Sequence, residues 1–153
     1  MSLSTSKQPR YEACFVCGVD NPAGLKLTFW QDDDRVWTEF TPDERHQGYP
    51  GVLHGGLLYT ILDEVTGRAA YLRGTWVVTG RAEVRYLQPA RIGETLRFTG
   101  RITAERSRAM DLAGEARRAS DEALVATLSG LFVRIPDDRI REMESVIDFD
   151  PPA

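Results

Sequence analysis

Asp63 and Glu64 sit side by side in an otherwise apolar run, and nine residues before Asp63 the chain reads His54-Gly55-Gly56. Both belong to one stretch, HQGYPGVLHGGLLYTILDEVTGRAA, from His46 to Ala70. An acid set beside an apolar stripe is costly to bury without a partner or a task. Glycines that open a helix present free N–H groups where the helix dipole is positive. The stretch therefore offers an oxyanion-binding end and, a little over two turns on, a carboxylate. Adjacent helical residues point about 100° apart, so Asp63 and Glu64 do not both enter one site. His54 reads either as a general base or as a residue that fixes its loop by hydrogen bonds. Gly55 and Gly56 also admit a plainer reading, close packing of helix on sheet.

The elements that must position these groups follow from periodicity. Leu58, Ile61, Leu62, Val65 and Ala69 recur at three- and four-residue steps, which predicts a helix from about Leu57 to Leu72 with a wide buried stripe. Gly74 is its expected stop. Leu25, Leu27 and Phe29 alternate with polar residues and predict a strand, paired as a hairpin with Val36 to Phe40 across the Asp32-Asp33-Asp34 turn. Further strands are expected over Trp76 to Leu87, Leu96 to Glu105, the Met110, Leu112, Gly114, Ala116 set, and Leu124 to Ile135. Asp137 to Glu144 is a candidate short helix. The order β-β-α-β-β-β-β, with short turns, predicts an α+β fold with an antiparallel meander rather than a doubly wound parallel sheet. The expected organisation is a disordered tail over 1–10, one domain over 11–136, and a short helix and loose tail (FDPPA) over 137–153.

At 153 residues, with 19 basic and 23 acidic side chains and a net charge of −4, nothing favours binding to nucleic acid or an anionic membrane. No apolar run reaches the length of a membrane span, and the first residues lack a signal-peptide block, so a cytoplasmic protein is expected. The two cysteines form Cys14-Phe15-Val16-Cys17. One pair does not complete a four-thiolate zinc site. Reduced structural cysteines in a turn are the first reading. A metal or redox role is the second, with His46 and His54 as further ligands or the pair shared between subunits.

HQGYPGVLHGGLLYTILDE, preceded by CFVCGVDNPAGLKL and followed by VVTGRAEVRYLQPARIGETL, resembles the hotdog-fold acyl-CoA thioesterases of the PaaI-like, THEM-like group. The resemblance runs from about Cys14 to Ile135. It implies a long helix wrapped by an antiparallel sheet, a homodimer or dimer of dimers, and active sites at the dimer interface. It implies that the Gly55 N–H polarises the thioester carbonyl and that Asp63 activates water or attacks the carbonyl, the two coming from different subunits. Thr79 is implied to help hold the attacking water. Relatives carry a polar loop group before the HGG motif; the position six before His54 is Gly48, and the adjacent Gln47 is the candidate here. Gly56, Gly48 and Tyr59 are implied to contact substrate, with Tyr49 and Trp76 as further acyl-pocket candidates and Arg81 and Arg91 as candidates for coenzyme A phosphates. Neither metal nor redox cofactor is required, since coenzyme A is part of the substrate. A non-catalytic acyl-CoA binder and an acyl-CoA hydratase or dehydratase using His54 and Asp63 are the alternatives on the same fold.

Overall fold

His54 starts the central helix. In the structure, a computed structural model that describes residues 4–147, its imidazole Nδ1 accepts the Gly56 N–H at 2.9 Å. Helix α1 therefore runs Gly55–Arg68, two residues earlier than the apolar pattern alone predicts. It ends earlier too, tightening into a 3₁₀ turn over Ala69–Arg73 that Gly74 closes in the left-handed region, at φ 66°. Leu58, Ile61, Leu62 and Val65 are buried, as their spacing requires.

The helix lies on one face of a seven-stranded antiparallel sheet made of β1 (Ser6–Lys7), β2 (Trp30–Gln31), β3 (Arg35–Phe40), β4 (Val77–Tyr86), β5 (Leu96–Glu105), β6 (Ala109–Arg118) and β7 (Leu124–Arg134). Helix α2 (Asp137–Glu144) follows. The class is α+β, as expected, but the sheet is not a plain meander. Its order is β1-β2-β3-β5-β6-β7-β4: the chain crosses the sheet with α1 and lays β4 on the far edge. Among the described residues β4 pairs only with β7, so a ten-residue edge is left open.

Two glycines in the sheet let α1 sit down. A Cβ at Gly100 would collide with the Val65 carbonyl, and one at Gly114 with the Thr66 hydroxyl. Close helix–sheet packing thus falls to Gly100 and Gly114; Gly55 meets only a tyrosine ring at ordinary contact distance. Because the obstacle at Gly100 is backbone, Gly100→Ala is expected to destabilise the fold by about 1–3 kcal/mol, read as a lower urea midpoint at unchanged slope.

Two local expectations are corrected. Leu25 to Phe29 is not a strand. The Leu25 and Leu27 N–H groups bond to the Phe15 and Val16 carbonyls at 2.8 and 2.9 Å, and Lys26 adopts φ 56°, which breaks the strand conformation. Nor is the polar N-terminus loose over its described part. Ser6 and Lys7 pair with Gln31 and Trp30, and Gln8 is buried, its amide on Gln31 at 2.9 Å. Residues 1–3 and the FDPPA tail lie outside the described residues. Among the described residues no helix is long and apolar enough to cross a membrane.

Candidate active site

Asp63 stands half-buried on the α1 face that looks toward β4, and Thr79 of β4 donates its hydroxyl to the Asp63 carboxylate at 2.6 Å. They share a cleft of about 340 Å³ with Gly67, Trp76, Val77 and Phe132. A β-bulge makes this pairing compatible with the rest of β4. The register slips between Thr79, opposite Phe132, and Arg81, opposite Leu131, leaving Gly80 as the extra residue. The slip reverses the inside–outside parity of everything that follows. Thr79 therefore faces the helix, whereas Arg81 turns to the outer face, beside Asp111 and Ser129. Within one chain Arg81 is thus parted from Asp63 by the sheet.

The same slip explains Tyr86, which sequence reasoning missed. Seven residues separate it from Thr79, so a regular strand would put the two on opposite faces. With the bulge they share one, and the Tyr86 hydroxyl donates to the Gly55 carbonyl at 2.9 Å. The Gly-Arg pair after Thr79 was the available signal.

The helix start is built from its preceding loop. His54 spends Nδ1 on the Gly56 N–H, so Gly56 has no free donor for a substrate. No acceptor among the described residues meets the Gly55 N–H. Gln47 braces the loop by accepting the Gly51 N–H at 3.0 Å. Gly48 packs against the His54 ring, where an added Cβ would come within 3.1 Å. Arg91 is exposed and bridges to Val52 beside this loop, so it is gathered with Gly55 and Gln47. His46 accepts the Asp43 N–H at 2.9 Å and stacks edge-on to Phe40, a structural role. Tyr59 is half-buried; burial first, then the Asp63 and Tyr86 charges, push its phenol up, which keeps it a hydrogen-bond donor. Tyr49 projects from the loop, 84% exposed.

Glu64 and Arg68 line the same cleft, and the Glu64 carboxylate pairs with Arg68 at 2.8 Å. The Arg68 guanidinium is buried, donates to the Pro9 carbonyl at 2.8 Å and lies 4.3 Å from the centre of the Phe29 ring.

A family model described as the thioesterase superfamily matches residues 50–125. The acyl-coenzyme A thioesterase THEM4 of Bos taurus is 22% identical over 127 residues, 82% of this chain and 52% of that protein. A solved thioesterase superfamily protein superposes with a TM-score of 0.75 at 30% identity, over 80% of this chain and 60% of that one. The PaaI protein of E. coli, from the phenylacetic acid degradation operon, superposes at 0.68 with 20% identity, over 73% and 81%. The chain belongs to the hotdog-fold thioesterase superfamily. It spans about half the length of the curated relatives it matches. The superfamily match takes in the loop from Pro50 onward, α1 and β4, hence Gly55, Asp63, Thr79, Tyr86 and Arg91. The Cys14–Cys17 turn and α2 fall outside it.

In this superfamily member the hydroxyl on Asp63 gives a direct test. A hydrogen bond to a charged group contributes about 1.5–3 kcal/mol. Thr79→Val keeps the shape and is expected to lower kcat about 10- to 100-fold with KM little changed, in steady-state thiol release.

Proposed function

We propose that the protein hydrolyses acyl-CoA thioesters, as a dimer whose two sites each draw on both chains. One observation carries the reading: Asp63, oriented by Thr79, and the unclaimed Gly55 N–H lie on one helix but eight residues apart, about 12 Å at 1.5 Å per residue. That gap is too long for both to reach one carbonyl group, so a second copy must supply the other half. The open β4 edge is where it would add. Val78, Tyr86 and Val133 are exposed apolar side chains on or beside that edge, and an unpaired strand of this length invites pairing.

In the proposed reaction Asp63 takes a proton from water, and the water oxygen adds to the thioester carbon. The carbonyl electrons move onto oxygen, where the Gly55 N–H of the second copy stabilises the developing charge. Collapse breaks the carbon–sulfur bond, and coenzyme A leaves as a thiolate that takes a proton. The balance is thioester plus water to carboxylic acid plus free thiol. Attack by the Asp63 carboxylate itself, through an anhydride that water then opens, gives the same products. The superfamily membership and the bovine relative's naming as an acyl-coenzyme A thioesterase support the substrate class. Trp76 and Phe132 in the cleft favour an aromatic or short-to-medium acyl group. Arg91 is the candidate for the coenzyme A phosphates. His54 is engaged in capping, which disfavours a hydratase pair with Asp63. Two free cysteines suit a reducing cytoplasm.

The deciding experiment is thiol release from a panel of acyl-CoAs. Turnover with an aromatic or short-to-medium member supports the proposal. A chain silent on the whole panel that still binds acyl-CoA at equilibrium is a binding protein, and the proposal fails.

A further inference from the structure

Three donor atoms from distant parts of the chain converge where the Asp63 cleft adjoins a second one, the two sharing Glu64 in their linings: the Cys14 and Cys17 sulfurs and a Glu64 carboxylate oxygen, all within 4.8 Å of one another. We propose that Cys14, Cys17 and Glu64 bind a thiophilic divalent cation of the zinc class, with the fourth position facing the adjoining cleft.

The turn is built around the sulfur. The N–H groups of Val16 and Cys17 both point at Cys14 Sγ, at 3.3 and 3.5 Å, and the Gly18 N–H closes the turn on the Cys14 carbonyl at 2.9 Å. Any side chain at Gly18 would strike the Glu12 carbonyl. Such N–H donors orient a ligating thiolate and offset its charge, the work that outer-sphere groups do at metal sites. Glu64 is held in the same way: its Oε1 accepts from Arg68, which is itself fixed by Pro9 and by the Phe29 ring.

Size and charge agree. Zinc–sulfur bonds of about 2.3 Å set tetrahedral sulfurs about 3.8 Å apart, which the three donors reach by shifts smaller than a bond length. Two thiolates, one carboxylate and the Arg68 guanidinium sum to −2, which a divalent cation neutralises. Cys14 is half-exposed on a cleft of about 210 Å³ bounded by Tyr11, Trp76, Met143 and Ile147. Water or a small thiol has access from there. Three protein ligands with one open position is a recognised zinc arrangement.

The sequence alone missed this because the third donor is a helix residue 47 positions after Cys17. His46 and His54 are engaged elsewhere: His46 Nδ1 accepts the Asp43 N–H and His54 Nδ1 accepts the Gly56 N–H.

The test is anaerobic titration of the reduced full chain with cobalt(II), then zinc(II). The expected result is one cobalt per chain, with sulfur-to-cobalt charge transfer in the near ultraviolet and strong tetrahedral bands in the visible, both erased by zinc. Cys14→Ser and Cys17→Ser should each abolish the charge transfer seen for the pair. Loss of even an outer-sphere partner costs about 10- to 100-fold in affinity, so Glu64→Gln should weaken binding at least about 10-fold. Asp63→Ala should bind cobalt as the parent does. The proposal is overturned by a parent chain with no charge-transfer band, by Glu64→Gln with parental affinity and spectrum, or by loss of binding in Asp63→Ala. Half a cobalt per chain with a four-sulfur spectrum also overturns it, since the pair would then be shared between two chains.

Discussion

Asp63→Ala is expected to release thiol from acyl-CoA at least about 100-fold more slowly than the parent chain, at unchanged far-ultraviolet dichroism. The size follows from the role proposed for it. A positioned base is worth roughly 100- to 10,000-fold, and Glu64, though it lines the same cleft, is held in its ion pair with Arg68. The fold should survive the change. Asp63 is only half-buried and its bond in the structure is to the Thr79 hydroxyl, so the variant strands one hydroxyl at an open cleft rather than a buried charge. Parental turnover in Asp63→Ala would remove Asp63 from the chemistry.

Gly55→Pro is expected to lose about 100- to 1,000-fold in kcat, the usual effect of deleting one oxyanion donor. Proline is the one substitution that removes the N–H and still suits the site. Gly55 is the first helical residue after the His54 cap, where proline is favoured because no intrahelical bond is lost. His54 already has the extended conformation that proline demands of its predecessor, φ −60° and ψ 129°. The nearest side-chain atom to an added Cβ is a Tyr86 ring carbon at 3.4 Å. Helicity should therefore persist while catalysis falls.

Together the two variants test the shared site. Equal mixing of Asp63→Ala and Gly55→Pro chains, with subunit exchange, makes half of the dimers mixed, and each mixed dimer has one intact site of two. Activity should return to about a quarter of the parent's. No recovery, with exchange verified, would mean that Gly55 and Asp63 do not act in one site across the dimer.

The sequence by itself determined the helix, its buried stripe, the α+β class and the loop–glycine–acid stretch, because those signals are local. Three- and four-residue spacing reports a buried helical face whatever lies against it. Only the tertiary structure decided which residues meet. Strand parity depends on bulges, and one extra residue at Gly80 joined Thr79 and Tyr86 to the helix face and sent Arg81 to the other side. Strand order depends on the path of the chain over the sheet, which put β4 at an open edge. Glu64 reached the cysteine turn because α1 is seated by Gly100 and Gly114, residues silent in any pattern of hydrophobicity. The polar segment from Ser6 to Gln8 reads as a loose tail in isolation. It is ordered because Gln31 and the Arg68 carbonyl satisfy the Gln8 amide, partners that no local window contains.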